Sequence, residues 1–234
     1  MSRDHAPPAT RLLPGPTASV AIGDTLARGR PHQGDRPWVN LCMVSSLDGT
    51  IAVGGNSGRL GNANDTDVLH GLRRLADAVL VGAGTVRAEG YHAPAKPGQR
   101  VAVVTASGNV DLSQTLFTSG AGLLITTEGL DIDTDVEIIR AGQDHVDLAG
   151  ALAELAARWP RITHVQAEGG PGLNGSLLDA DLVDELDLTI SPMLVGGDGK
   201  RMVTGAPEAV RRMHLEQLVT DEGGYLFGRW VRRP

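Results

Sequence analysis

Ile162-Thr163-His164-Val165-Gln166-Ala167-Glu168-Gly169-Gly170-Pro171-Gly172-Leu173-Asn174-Gly175 is the stretch that decides the fold. Its first six residues read as a short buried strand running directly into Glu168-Gly169-Gly170. Glycines let the backbone approach a ligand or turn tightly. Pro171 suits the first turn of a helix, where its missing N–H would have had no partner, and a short helix follows from Leu173 to Ala180. A helix start of this kind offers free N–H groups and a positive dipole end to a phosphate. The same residues also read as a glycine-rich turn that meets no ligand. Residues 170–175 spell G-x-G-x-x-G, but that dinucleotide motif belongs on the first strand of its fold, and too little chain follows it here.

Working outward, apolar strands alternate with amphipathic helices. Val39–Val44, Asp77–Val81, Val101–Val104, Gly122–Thr126 and Val136–Ile139 read as strands. Asp65 is placed to cap a helix carrying Val68, Leu69, Leu72 and Leu75 on one stripe. A second helix runs from Asp147 to Arg158, turning Leu148, Leu152, Leu155 and Ala156 inward and stopping before Pro160. The pattern then changes: Asp184–Pro192 alternates as a strand, and Met213–Val219 with Tyr225–Val231 forms a hairpin across Asp221-Glu222-Gly223-Gly224. Alternating β and α units imply an α/β fold with a mostly parallel central sheet, helices on both faces and an antiparallel C-terminal edge. Residues 1–37, rich in Pro, Gly, Ala and Arg, read as a flexible tail, with Arg11-Leu12-Leu13-Pro14 docking on a single domain spanning 38–234.

The composition narrows the function. The chain has 234 residues, enough for a sizeable core, and only 3 % aromatics, so that core must be Val, Leu, Ile and Ala. A net charge of −7 argues against nucleic acid or an anionic membrane as partner. The single cysteine, Cys42, excludes an intramolecular disulfide and a Cys-rich zinc cluster. No apolar run approaches the roughly 20 residues that span a bilayer, and no signal-peptide stretch opens the sequence. These features describe a cytoplasmic type of protein.

Two further segments could carry chemistry. Gly82-Ala83-Gly84-Thr85-Val86-Arg87-Ala88-Glu89 sits at the carboxyl end of a strand, as the first glycine-rich segment does, and ligands of open α/β sheets bind at those ends. Thr85 is a phosphate or ribose partner on this reading, or a helix cap. Ser45-Ser46-Leu47-Asp48-Gly49 ends the first strand of the domain; Asp48 either holds a ligand hydroxyl or closes an Asx turn. Arg73 lies on a helix that otherwise buries leucines, suited either to solvent or to an anionic substrate group. His214-Leu215-Glu216 matches the H-x-E of zinc deaminases, but the P-C-x-x-C partner is absent, and no metal is expected.

In this order the elements resemble the reductase domain of the riboflavin-biosynthesis deaminase–reductase, a pyrimidine reductase family related to dihydrofolate reductase. The resemblance rests on Ser46-Leu47-Asp48-Gly49, on Leu72-Arg73 through Gly82–Glu89, on Glu168-Gly169-Gly170, and on Leu182–Leu186 through Pro192 to Gly196-Gly197. It implies a dihydrofolate-reductase-like three-layer fold and an NADPH-dependent reductase, usually a homodimer. The hydride would pass to the ribose C1′ of an aminopyrimidine ribosylamine phosphate. Carried over residue by residue, Ser45, Gly82, Gly84, Thr85 and Glu89 line the cofactor, and Gly169, Gly170, Pro171, Gly172 and Leu173 hold its pyrophosphate. Ser57 and Arg73 face the substrate. Asp48 and Glu168 stand at the reaction centre as the catalytic candidates.

Three departures bear on the substrate. Cys42 stands where pathway reductases typically carry a lysine, Glu89-Gly90-Tyr91 replaces an acidic pair followed by proline, and residues 1–37 are too short for a deaminase half. A paralogous reductase acting on a pterin such as dihydrofolate, or a non-catalytic NADP-binding protein, are the alternatives. Thr105 and Ser107 are the candidates near the adenosine end.

Overall fold

The computed structural model describes residues 8–13, 15, 17–26, 30 and 36–233. In chain order its elements are β1 (Ala9–Leu13), β2 (Ala18–Val20), α1 (Ile22–Leu26), β3 (Trp38–Ser45), α2 (Ala63–Leu75), β4 (Ala78–Gly82), α3 (Ala83–Glu89), β5 (Arg100–Val104) and α4 (Thr115–Thr118). There follow β6 (Gly122–Thr126), β7 (Ile138–Arg140), α5 (Leu148–Arg158), β8 (His164–Ala167), α6 (Pro171–Asp179), β9 (Glu185–Ile190), β10 (His214–Asp221) and β11 (Leu226–Val231). The strands join in one sheet, ordered β2-β1-β10-β11-β9-β3-β8-β4-β5-β6-β7. From β9 to β7 all neighbours run parallel; the pairs from β2 to β9 are antiparallel. The fold is dihydrofolate-reductase-like.

The two-residue period of the strands sorts the core. Ala78 and Leu80 of β4 pack with Leu148, Leu152 and Leu155 of α5 and Leu173 and Leu177 of α6 on one face. Val79 and Val81 pack with Val86 of α3 and Leu116 and Phe117 of α4 on the other. Because helices cover both faces, these strands are apolar throughout rather than alternating. On α5, Ala151 is fully buried whereas Ala156 is only half-buried. Asp147 caps α5 as expected, accepting a hydrogen bond from the Gly150 amide. The cap of α2 differs: Asn62 Oδ1 accepts from the Asp65 amide at 3.0 Å, leaving the Asp65 carboxyl free for another use.

The tail expected over residues 1–37 is corrected by the structure. Ala9–Leu13 pairs antiparallel with β10, Ala18–Val20 pairs with β1, and α1 lies against α2. Ala9, Ile22 and Leu26 are buried with Val68 and Leu72 of α2, Val219 of β10, and Tyr225 and Phe227. Their sequence spacing has neither helical nor strand period, because the partner of β1 lies at the other end of the chain. Residues 1–7, 14, 16, 27–29, 31–35 and 234 lie outside the described residues.

The seat of α1 depends on two glycines. A Cβ at Gly71 would collide with the backbone of Gly23, so the helix backbones touch directly there. Gly71→Val is expected to destabilise the protein by about 2 kcal/mol or more through overpacking, lowering the urea midpoint with an unchanged slope. An unchanged midpoint would remove this contact from the account of the fold.

Candidate active site

Two glycine-rich strand ends meet at the carboxyl edge of the sheet. Gly169, following β8, has φ +81°, a conformation suited to glycine. Its carbonyl accepts from the Gly82 amide at 2.7 Å, and a Cβ on Gly82 would stand 3.3 Å from the Gly170 nitrogen. Gly82 and Gly170 are the N-caps of α3 and α6, and neither supplies a side-chain cap. Thr85 lies inside α3, so it is not that helix's cap; its hydroxyl is 3.0 Å from where a Gly170 Cβ would be.

A cavity of about 840 Å³ opens over this junction. It is lined by Gly82, Gly84, Thr85, Glu89, Gly170, Pro171, Gly172 and Leu173 together with Ser57, Arg73 and Glu168. These sequence-predicted residues therefore share one space. Ser45, Asp48 and Gly169 do not line it. The Ser45 carbonyl accepts from Ser191, at 2.8 Å, and Gly169 is taken up by the Gly82 contact. A Cβ at Gly172 would meet nothing within 4 Å, so the first turn of α6 faces open space. An uncapped helix start with room before it fits a pyrophosphate.

Glu168 organises the middle of the cavity. Its Oε1 accepts from Arg73 Nε at 2.6 Å and from Gln166 Nε2 at 2.9 Å; its Oε2 accepts from Arg73 Nη2 and from the Tyr91 hydroxyl, both at 2.5 Å. Arg73 also lies over the Tyr91 ring, 5.4 Å from its centre. Burial works against the Arg73 charge, but the hydrogen bond and charge of Glu168 outweigh it and hold the guanidinium pKa above its usual value. Burial first, and then the Glu168 charge, push the Tyr91 phenol up, so it keeps its proton. Glu168 is thus occupied as an acceptor, and Arg73 keeps Nη1 without a protein partner among the described residues.

Glu89 and Asp48 brace loops. Glu89, at the end of α3, accepts from Asn56 Nδ2 at 2.7 Å and from the Ser57 amide at 2.9 Å, fixing the segment that carries Ser57. Asp48 accepts from the Ser46 hydroxyl at 2.5 Å and from the Gly196 and Val195 amides at 2.7 and 3.2 Å. The Ser46 hydroxyl and those two amides bring its pKa down to about 2.

Further residues complete the cavity, of which Lys200 and His145 carried no signal in the sequence. Cys42 faces the cavity, and burial followed by the Asp187, Glu168 and Asp65 charges raises its thiol pKa, keeping it protonated and unreactive. Tyr91 and Lys200 also line it, as does Asp65. At the far end lie Thr105, Ser107, Arg87 and His145.

Residues 37–227 match the RibD C-terminal domain. The chain belongs to that family. It is 32 % identical over 185 residues to the 2,5-diamino-6-ribosylamino-4(3H)-pyrimidinone 5′-phosphate reductase of Methanothermobacter thermautotrophicus, covering 73 % of this chain and 85 % of that one. The enzyme of the same name from Archaeoglobus fulgidus is 24 % identical over 205 residues, covering 78 % of this chain and 93 % of that protein. Among solved structures, a pyrimidine reductase-like protein from Corynebacterium diphtheriae superposes with a TM-score of 0.79 at 25 % identity, covering 92 % of this chain and all of that one. The two archaeal relatives are named as reductases, and this chain is an oxidoreductase of the same family.

Glu89→Ala removes both acceptors from the 53–58 segment. The Ser57 amide is expected to exchange with solvent about tenfold faster, the worth of one hydrogen bond. Hydrogen exchange read by mass spectrometry checks this, and unchanged protection would mean the segment is held otherwise.

Proposed function

We propose that the protein is an NADPH-dependent reductase that reduces the ribosyl C1′ of a ribosylamino-pyrimidine 5′-phosphate. The observation that carries this reading is the sharing of one cavity by the uncapped start of α6 and the Arg73–Glu168–Tyr91 cluster. One end suits a dinucleotide pyrophosphate and the other an anionic substrate. The cofactor supplies a hydride, and the protein brings donor and acceptor carbons together and keeps water away.

The balance of the reaction sets what the residues must do. The C1′–O4′ bond of the ribosylamine opens, O4′ gains a proton, and C1′ gains the hydride, leaving a ribityl amine. Arg73 holds the substrate phosphate through Nη1, oriented by Glu168, while Ser57 faces the sugar. Glu168 acts through Arg73 and Tyr91 rather than as proton donor, since its oxygens already accept four hydrogen bonds. Met43, Val44, Ile51 and Leu173 give the apolar wall that excludes water. Asp48 contributes by tying the loop after β3 to the 193–197 segment.

No helix of the described residues is long and apolar enough to cross a membrane. A small-molecule substrate, a lone protonated thiol and a negative net charge support a cytoplasmic enzyme. A homodimer agrees with the exposed apolar surface of Leu47, Met193, Leu194 and Val195, where the Leu47 amide donates to the Met193 carbonyl.

The deciding test is loss of NADPH absorbance on mixing the purified protein with a ribosylamino-pyrimidine phosphate. No consumption overturns the reading, and turnover of dihydrofolate alone replaces it with a pterin reductase. Gly172→Asp places a carboxylate where a Cβ meets nothing, so the fold should keep its melting temperature. NADPH affinity, measured by calorimetry, should fall at least about 100-fold from like-charge juxtaposition. Unchanged affinity would remove the start of α6 from the cofactor site.

A further inference from the structure

Asp65 takes no part in the cluster around Glu168, yet it lines the same cavity. It begins a stripe on α2 that continues with Leu69 and Arg73, at four-residue intervals, and all three face the cavity. At 1.5 Å per residue, Asp65 and Arg73 stand about 12 Å apart along the helix. A phosphorylated five-carbon chain bearing a pyrimidine can bridge that span, with its phosphate at Arg73 and its ring at Asp65.

The carboxyl is built into the wall. It packs against Gly61, where a Cβ would collide with Asp65 Oδ2, and the hydroxyl of Thr189, a residue 2 % exposed, favours its charged form. No cation pairs with it among the described residues. Burial raises its pKa accordingly. A carboxylate has about four acceptor positions, and those the wall leaves open need N–H or O–H donors from whatever enters the cavity.

We propose that Asp65 reads the 2-amino and N3–H edge of the pyrimidine, so that the protein takes 2,5-diamino-6-ribosylamino-4(3H)-pyrimidinone 5′-phosphate in preference to 5-amino-6-(5-phosphoribosylamino)uracil. The first compound presents two adjacent N–H donors, which match two carboxylate oxygens in a bidentate pair. The second presents one N–H beside a carbonyl, and that carbonyl oxygen faces the carboxylate across the pair. A site built around such donors rejects the analogue lacking one by up to about 10⁴–10⁵ when fully enclosed. At this half-buried position a preference of about 100-fold is expected.

The inference rests on the reading of the protein as a ribosylamino-pyrimidine phosphate reductase, and its test separates the two. Both compounds are assayed with the intact protein and with Asp65→Asn. The asparagine amide offers one acceptor and one donor, the complement of the uracil edge. The expected result is a preference for the diamino compound of about 100-fold in kcat/KM, reversed or abolished in Asp65→Asn. Thr189→Val, which frees the Asp65 carboxyl to turn, should reduce the preference about tenfold while leaving NADPH affinity unchanged, and it serves if Asp65→Asn fails to fold. Equal use of both compounds, a preference for the uracil, or an Asp65→Asn variant that keeps the original ratio overturns the role of Asp65 and leaves the reductase reading standing. Turnover of neither compound overturns the reductase reading itself.

Discussion

The Gly82 amide and the Gly169 carbonyl meet at 2.7 Å, and the arrangement of the site depends on that contact. It holds the ends of β4 and β8 so close that a Cβ on Gly82 would crowd the Gly170 nitrogen, and it starts α3 and α6 side by side. Two helix starts then share one rim of one cavity without consuming their N–H groups on caps of their own. The rest of the fold supplies the two faces that keep these strand ends rigid: α5 and α6 on one side, α3 and α4 on the other. A site held by backbone between strand ends is more precise than one carried on a free loop.

Charge is distributed with the same economy. In the cavity, Glu168 gathers donors from three side chains and thereby fixes the direction of Arg73. Elsewhere in the sheet a second acid is treated in the same manner. Glu185, with a fully buried side chain, is engaged by Arg30 and Arg229 and accepts from Trp38 Nε1. Burial opposes its charge, but Arg229 and Arg30 hold its pKa down to about 2. Its neighbour Asp187, hydrogen-bonded by Asn40 Nδ2, is pushed upward by burial and by the Glu185 charge. Arg229 and Arg30 thus favour the charge on Glu185, while at Asp187 burial and the Glu185 charge outweigh the nearby Arg30.

Much of this was legible in the chain, and the reason differs by segment. The parallel strands are apolar on both faces, and the helices between them carry their own period, so β3 to β8 and α5 can be read locally. The segments at 82–89 and 168–173 announce themselves because glycines and a first-turn proline are needed where backbones touch. Other features depend on partners far away in sequence. Asp65 reads as a helix cap until Asn62 is seen to fill that place. Tyr91 reads as a departure from a pattern until its hydroxyl is found on Glu168. Glu89 and Asp48 read as ligand contacts, yet they hold loops through backbone amides. β1 and β2 are short and have no alternating pattern to signal strands, and their burial comes from α2, β10 and β11.

The pairing of β1 with β10 has a consequence for how the chain is made. Ala9 lies opposite Asp221, so β1 finds its partner only after the chain through β10 has been made. The parallel half from β3 to β8 can assemble while Ala9–Leu13 still has an open edge. Contacts this distant in sequence are the slow ones to form, and an unpaired edge is open to other chains while it waits. The order of synthesis therefore exposes Ala9–Leu13 long before β10 exists to secure it.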